Sequence, residues 1–169
     1  MKTRVVGIGD ACVSADPEAE LVTYGLGSCV GVIIHDPSVK VGGLLHIQLP
    51  ESRLDPGDAK QFPFKYADTG LPELFHRAYA LGADKQRLRV FVLGGAQVLD
   101  THGVFSIGQR NLLATRKILF RAGVFVALES TGGTLSRTVR LHVRSGQIWL
   151  RVPGQEEIRF NDAEGGSAP

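Results

Sequence analysis

Cysteine, methionine and tryptophan are all scarce in this chain of 169 residues. Only two cysteines occur, Cys12 and Cys29, together with one methionine and one tryptophan. A secreted domain of this length that depended on disulfide bonds would carry more cysteines, so the composition favours a reducing compartment and predicts a cytoplasmic protein. The two cysteines and five histidines show no spacing typical of a metal-binding motif, and no metal site is expected.

The sequence also lacks a long apolar segment and a strong excess of one charge. No stretch reaches the roughly 18–20 apolar residues that span a bilayer, and the N-terminal segment has no apolar signal core, so no membrane insertion is expected. Nineteen Lys and Arg against seventeen Asp and Glu leave a net charge of +2. That charge is too small for a surface that neutralises several phosphates, so nucleic acid is not an expected partner.

Short runs rich in Val and Ile, separated by Gly, Asp-Pro and Ser-Gly, dominate the chain and predict eight or more strands. Two helices are predicted, one over residues 69–81 ending at Gly82, and one from near Gly108 ending at Gly123. LRVFVLGG is typical of a strand covered on both faces, whereas VFVALES, TVRLHVRS and QIWLRV predict antiparallel strands. We expect an α+β domain over residues 1–160, with helices covering mixed or antiparallel sheets, and a flexible tail over 161–169.

The segment TYGLGSCVGVIIHDPSVKVGGLLHIQLPES, over residues 23–52, predicts a hairpin whose turn contains Asp36 and Pro37. If the turn is centred near Ser38, the numbers of paired residues sum to about 76. Cys29 then faces a position near Ile47 and lies within a residue of His46.

This pairing is typical of a nucleophile and its base. A free thiol is mostly protonated at neutral pH and needs a neighbouring base, which His46 can provide for Cys29. The glycine-rich loop before the cysteine, including Gly27 and Ser28, can aim backbone N–H groups at one point and form an oxyanion hole. A buried packing role for each residue is the alternative, and it is the interpretation that we adopt for Cys12.

A third group normally orients the imidazole, and no carboxylate is well placed to do so. The nearby polar residues leave several alternatives open, among which a hydroxyl is favoured by elimination. They are Thr23, Tyr24, Ser28, Gln48 and Glu51.

The chain resembles the CheD family, the chemoreceptor glutamine deamidases, over residues 5–152. The resemblance rests on TYGLGSCVGVIIHD, GGLLHIQLP, KYADTGLPEL, VLGGAQV, IGQRN and the late TGG turn. It implies hydrolysis of selected glutamine side chains on the cytoplasmic helices of methyl-accepting chemoreceptors, without a cofactor. It also implies a sandwich-like fold similar to glutamine-deamidating toxins, with Cys29 as nucleophile, His46 as the histidine and Thr23 as the threonine of the family. In some systems the phosphatase CheC is a further partner.

Two late positions depart from the family pattern: Ser130 replaces an Asp, and Ser136 replaces a Gly before the retained Arg137. Both departures are expected to affect local turns or partner contacts rather than chemistry. In IGQRN, the family residues Gly108, Arg110 and Asn111 are interpreted as a loop and a helix start rather than as substrate contacts.

Two rival hypotheses belong to other functional classes. The first is a non-catalytic regulatory module that binds receptors or CheC. The second is a redox or metal-binding protein that uses Cys12, Cys29 and His46.

Overall fold

The structure is a computed structural model, and it describes residues 1–98 and 106–162. None of the helices in these two ranges is long and apolar enough to cross a lipid bilayer. The strands are β1 (Lys2–Val5), β2 (Ala11–Ser14), β3 (Ala19–Leu26), β4 (Val30–Asp36), β5 (Val41–Ile47), β6 (Arg89–Gly94), β7 (Val126–Thr131), β8 (Arg137–His142), β9 (Ile148–Arg151) and β10 (Ile158–Arg159). The helices are α1 (Pro56–Gln61), α2 (Ala67–Ala80) and α3 (Ile107–Arg121), and 3₁₀ turns span Ser52–Leu54, Pro63–Lys65 and Phe160–Asp162.

The strands form two five-stranded sheets, each with one parallel pair. The first sheet has the order β1-β3-β8-β9-β10, and only β1 and β3 are parallel in it. The second has the order β2-β5-β4-β6-β7, and only β6 and β7 are parallel in it. The prediction of an α+β fold with mixed sheets is confirmed.

The second sheet is the middle layer of the molecule. Phe91 and Leu93 of β6 belong to an apolar core shared with the first sheet, whereas Val90 and Val92 belong to a core shared with α2 and α3. Burial on both faces explains why this strand is a near-continuous apolar run, as predicted. The two packed sheets confirm the sandwich-like arrangement, with the long helices on one side of it.

Both predicted helices are present. Leu71, Leu74 and the other apolar residues predicted for one face of α2 are buried, although the helix begins two residues earlier than predicted. In α3, Leu113 is 58% exposed, so only part of its apolar pattern faces the core. Gly82 and Gly123 follow the two helices with positive φ angles of 97° and 71°, as expected for glycine stops.

The predicted antiparallel pairing after α3 is wrong for its first strand. β7 lies parallel to β6, and β8 crosses into the other sheet, where it pairs with β3. A parallel pair needs a long crossover connection, and α3 provides it. The six-residue helix α1 was not predicted because it is too short for apolar periodicity, although Asp55 and Pro56 are typical of a helix start.

The predicted tail begins at Asn161, but that residue is anchored. Its side chain accepts a hydrogen bond from the Ile148 amide at 3.0 Å and donates one to the Gly146 carbonyl at 2.7 Å. Residues 163–169 lie outside the described part of the chain. The single domain and the flexible tail therefore stay predictions, with ordered contacts extending to Asn161.

We expect Gly108→Ala to lower the free energy of unfolding by about 1–3 kcal/mol. A Cβ atom at this position would lie 2.6 Å from the carbonyl oxygens of Gly95 and Ala96, so the start of α3 would have to move. Urea unfolding measures the change. Gly57→Ala in α1 is the control, because its Cβ would meet nothing closer than 3.7 Å. Equal effects of the two substitutions would contradict this packing argument.

Candidate active site

The β4–β5 hairpin places His46 opposite Gly31, one position away from the predicted register. Val30 pairs with Ile47 and Gly31 with His46, so the numbers of paired residues sum to 77 rather than about 76. The difference arises because the loop has four residues, 37–40, and Lys40 adopts a left-handed conformation with φ 55°. The hairpin itself is confirmed.

Cys29 lies just before β4, two residues ahead of Gly31. Its side chain packs against the apolar core between the two sheets, and His46 points into the same space to contact Thr23 of the other sheet. Extended by one residue, this register would place Gln48 opposite Cys29, next to the predicted position near Ile47 and two residues from His46 rather than one.

Thr23 lies on β3 of the other sheet and contacts the His46 ring. Its Oγ1 atom lies 2.7 Å from His46 Nδ1 and donates its own proton to the Val6 carbonyl, also at 2.7 Å. A carbonyl can only accept and a threonine hydroxyl has one proton, so Thr23 must accept from a protonated Nδ1. The neutral His46 ring therefore carries its lone pair on Nε2.

His46 Nε2 is buried and has no hydrogen-bond partner among residues 1–98 and 106–162. Cys29 is half-buried, and its thiol makes no hydrogen bond to this nitrogen. An unprotonated nitrogen next to a thiol can act as its general base once the two approach. The structure brings Thr23 and His46 into contact and places Cys29 two residues before Gly31, the strand partner of His46.

Burial keeps both reactive groups neutral. Desolvation lowers the pKa of His46 to about 4. Desolvation also raises the pKa of the Cys29 thiol, and the residue's own backbone N–H partly offsets that rise. The resting site therefore holds a thiol and a neutral imidazole rather than a thiolate–imidazolium pair.

The loop before β4 is held through three consecutive carbonyl groups. The Gly27 carbonyl accepts from the Ala96 amide at 2.8 Å, and the Cys29 carbonyl accepts from the Gly95 amide at 2.8 Å. Between them, the Ser28 carbonyl accepts from the Asn111 side chain at 2.9 Å. All three carbonyls therefore point towards the loop after β6 and the start of α3.

This orientation turns the neighbouring N–H groups the other way. In a trans peptide the C=O of one residue and the N–H of the next point in opposite directions. The amides of Ser28 and Cys29 therefore face away from the loop after β6 and from the start of α3. Among the described residues neither amide donates to a backbone carbonyl, and the Cys29 N–H lies close to its own thiol. They can therefore act as donors to a developing oxyanion, whereas Gly27 contributes its carbonyl to the loop's anchorage.

Glycine is required at the end of β6, where the chain packs closely against the loop before β4 and against α3. A Cβ atom on Gly94, whose φ is 97°, would lie 2.4 Å from the Cys29 carbonyl oxygen, and one on Gly95 would lie 2.4 Å from Leu112. The sequence motif VLGG was interpreted only as the end of a buried strand. Its second role, as the surface that seats the nucleophile loop, depends on a contact that no local pattern reveals.

Asn111 is the residue whose position sequence reasoning missed. The IGQRN motif does start a helix, as predicted, but Asn111 is fully buried and also bonds the Ser28 and Gln48 carbonyls. A polar residue on the predicted inner face of α3 was the available signal. Its partners could not be named, because they are backbone atoms more than 60 residues away in the chain.

The late departures from the family pattern lie in the connection between β7 and β8. Arg137 is buried and donates from Nε to the Ser130 hydroxyl at 3.0 Å, and from Nη1 to the Gly132 carbonyl at 3.0 Å. Burial lowers the pKa of Arg137. Ser130, one of the two departing positions, therefore contacts the retained Arg137 through its hydroxyl.

The metal-binding hypothesis needs Cys12, Cys29 and His46 in one cluster. Cys12 lies on β2 opposite Leu44, and both cysteines are free thiols. Throughout residues 1–98 and 106–162, no three His, Cys, Asp or Glu side chains are grouped so that they could hold a metal ion. The structure does not bring these three residues together as that hypothesis requires.

Comparison with known proteins decides the family. The family model described as CheD chemotactic sensory transduction matches residues 48–152. This chain belongs to the CheD family. A "Probable chemoreceptor glutamine deamidase CheD" of Solibacter usitatus is 46% identical over 93% of each chain.

Two further relatives cover the CheD chain as completely. A "Probable chemoreceptor glutamine deamidase CheD 2" of Anaeromyxobacter dehalogenans is 49% identical over 92% of this chain and 98% of its own. The "Chemoreceptor glutamine deamidase CheD" of Thermotoga maritima is 37% identical over 94% of this chain and 98% of its own. The similarity therefore includes the N-terminal part, with Thr23, Cys29 and His46, that precedes the matched family model.

We expect Thr23→Val to shift the His46 tautomer and to destabilise the fold by about 1–3 kcal/mol. Valine has a similar shape but removes the acceptor for the Nδ1 proton and leaves the Val6 carbonyl without its donor. Nitrogen NMR of the imidazole identifies the protonated atom, and urea unfolding gives the stability. Thr23→Ser, which keeps the hydroxyl, should retain the Nδ1–H form. A valine variant with an unchanged tautomer would contradict the hydrogen-bond assignment.

We expect the free energy of unfolding to fall as the pH drops from about 6.5 towards 4. The His46 pKa is about 4 in the folded protein against a reference of 6.5, so the unfolded chain binds more protons in this window. Replacing the residue in His46→Gln should remove on the order of 2–3 kcal/mol of that decline. Urea unfolding at several pH values measures it.

The comparison variant for this measurement is His142→Gln. His142 is a partly exposed histidine on β8, outside the buried site. Its Nε2 atom lies 3.3 Å from Glu20 Oε1, so this variant removes a histidine outside the site and leaves the buried ring in place. If His46→Gln shows the same decline as the wild type, burial does not lower the His46 pKa.

Proposed function

We propose that this chain hydrolyses the side-chain amide of selected glutamines on chemoreceptors, with Cys29 as nucleophile and His46 as its base. The observation that carries the proposal is the buried His46 ring, whose Nδ1 atom contacts Thr23 and whose Nε2 atom has no hydrogen-bond partner among the described residues. The relatives named as chemoreceptor glutamine deamidases support the substrate class.

The first step forms the carbon–sulfur bond. His46 Nε2 takes the proton of the Cys29 thiol, and the sulfur attacks the Cδ carbonyl carbon of the glutamine. The carbonyl electron pair moves to oxygen, where the amides of Ser28 and Cys29 donate hydrogen bonds to it. The proton now on His46 is the one that the leaving group needs.

The second step breaks the carbon–nitrogen bond. The oxyanion collapses to a thioester, and the amide nitrogen takes the Nε2 proton and leaves as ammonia. His46, neutral again, removes a proton from a water molecule that attacks the thioester. The thiolate leaves and takes that proton back from His46, so glutamate is released and the enzyme returns to its starting state.

Burial lowers the pKa of His46 to about 4, so the resting ring is the neutral base that the first step needs. Imidazolium is unfavourable in this buried site except while a negative sulfur or oxygen lies next to it. Thr23 supports the charged ring by accepting the Nδ1 proton in both protonation states. The cycle requires no cofactor.

A glutamine on a receptor would be presented from the surface of a long helix. Cys29 is only half-buried, so it is reachable from solvent. This partial exposure fits a glutamine side chain that protrudes from a partner helix. The cytoplasmic location and the phosphatase CheC as a competing partner, both implied earlier, stay predictions within this proposal.

We expect Cys29→Ala to abolish deamidation. A receptor cytoplasmic fragment incubated with wild-type protein should gain roughly one dalton per converted glutamine, seen by peptide mass analysis, and release one ammonia. The alanine variant lacks the sulfur that forms the thioester and should give neither. Cys12→Ala is the matched control, because Cys12 is also a free, half-buried thiol but lies on β2.

Three outcomes separate the hypotheses. Activity in Cys12→Ala and none in Cys29→Ala supports the proposal. Deamidation that persists without Cys29 would overturn the role of this residue. Tight binding of receptor fragments by wild-type protein with no mass change in any of them would favour the regulatory binding module instead.

A further inference from the structure

Asn111 joins the two chain segments that carry the proposed nucleophile and base. It lies on the buried face of α3 and is 0% exposed. Its Nδ2 atom donates to the Ser28 carbonyl at 2.9 Å and to the Gln48 carbonyl at 3.0 Å. Ser28 precedes Cys29, and Gln48 follows His46 by two residues, so one side chain is bonded to both.

The position of these bonds is specific. The β4–β5 ladder ends at the pair Val30 and Ile47, and in the same register the next residues along would be Cys29 and Gln48. The Asn111 amide bridges the two segments just past this last pair. A side-chain amide nitrogen has two hydrogens, and both are used. It therefore ties the strand ends together where backbone pairing stops.

Both partners are carbonyl oxygens, so only a donor fits between them. This fixes the orientation of the Asn111 amide, because a carbonyl oxygen or a carboxylate turned towards Ser28 and Gln48 would be repelled. Within residues 1–98 and 106–162 the Asn111 Oδ1 atom is buried without a hydrogen-bond partner. A buried unpartnered acceptor is destabilising. An asparagine whose Oδ1 atom has no partner is unfavourable for packing alone. We take the two bonds donated by its Nδ2 atom as the reason for an asparagine at this position.

The bond to Ser28 controls the direction of one particular amide. The Ser28 carbonyl and the Cys29 N–H belong to the same peptide unit and point in opposite directions. Anchoring the carbonyl on Asn111 turns the Cys29 N–H away from α3 and leaves it on the side of the Cys29 thiol, with no backbone acceptor among the described residues. The Gly27 and Cys29 carbonyls are held by backbone amides, so this peptide is the one that depends on a side chain.

We propose that Asn111 is a positioning residue for the deamidation, which orients the Ser28–Cys29 peptide so that the Cys29 N–H faces the reacting carbonyl. This inference rests on the proposed function. Asn111 does not touch the substrate in this account. It acts through the peptide that it bonds, and its contact with Gln48 keeps that peptide in register with the His46 strand.

The test compares deamidation with a reaction of the same thiol that needs no oxyanion. In Asn111→Ala, kcat for ammonia release from the receptor fragment should fall about 100-fold, as for loss of one oxyanion donor, with KM within about threefold. Alkylation of Cys29 by iodoacetamide should stay within about threefold of wild type across the pH range, because it requires only the thiolate. Cys12→Ala is the background, so that Cys29 is the only thiol.

Thr115→Val is the matched control. Thr115 lies one helical turn after Asn111, is also 0% exposed, and its Oγ1 has no partner among the described residues. Valine keeps the shape, so kcat, alkylation and the unfolding midpoint should stay at the wild-type level or above. A fall in kcat of the same size as in Asn111→Ala would mean that any change on this helix face is harmful, and it would overturn the inference.

The remaining outcomes are distinct. A folded Asn111→Ala variant with wild-type kcat overturns the inference, and so does a parallel loss of alkylation and deamidation, which indicates a merely structural residue. If the alanine variant does not fold, the deciding variant is Asn111→Ser, which keeps one donor hydrogen. A folded serine variant with a selective loss of kcat supports the inference. Failure of both variants to fold overturns it. A wild-type protein that releases no ammonia overturns the proposed function, and this inference with it.

Discussion

The hydrogen bond between Thr23 and His46 crosses from one sheet to the other, and the arrangement of the site depends on it. Each residue lies on a different sheet, and their side chains meet in the core between them at 2.7 Å. Correct packing of the two sheets therefore sets the imidazole tautomer. Because Thr23 donates its only hydroxyl proton to the Val6 carbonyl, it must accept a hydrogen bond from His46 Nδ1. The free lone pair of His46 therefore lies on Nε2.

The nucleophile loop is held from behind by backbone contacts that leave no room for side chains. Gly94, Gly95 and Gly108 each lie so close to neighbouring backbone or Leu112 that a Cβ would clash. Such contacts allow the loop after β6 and the start of α3 to reach the carbonyls of residues 27–29 directly. The N–H groups then point to the opposite side as a consequence of peptide geometry.

Among the described residues, three buried polar side-chain atoms are left unsatisfied, two of them in the site and the third on Thr115, one helical turn beyond Asn111. His46 Nε2, Asn111 Oδ1 and Thr115 Oγ1 are all buried without partners in the part of the chain that the structure describes. Each such atom is destabilising, since its bonds to water are lost and not replaced. For His46 the unpartnered nitrogen is the atom that the proposed chemistry uses, and for Asn111 it accompanies a donor with two partners. Stability is lower here than an apolar core would give, and the cost falls where function needs polar groups.

Local sequence patterns determined much of this protein. Alternating and continuous apolar runs, with Asp-Pro and glycine as turn and stop signals, predicted the two long helices, the β4–β5 hairpin and the strand buried on both faces. They also indicated Cys29 and His46 as neighbours, and resemblance to the CheD family added Thr23. These features follow from the sequence because each depends on residues close together in the chain.

Tertiary structure decided what remote segments do to one another. The parallel pairing of β7 depends on how α3 packs, and the hairpin register shifted by one residue because of a loop conformation at Lys40. The contact of Thr23 with His46 joins two sheets, and Asn111 bonds backbone atoms 83 and 63 residues away. Backbone carbonyls carry no sequence signature, so only the folded chain identifies which side chain will bond them.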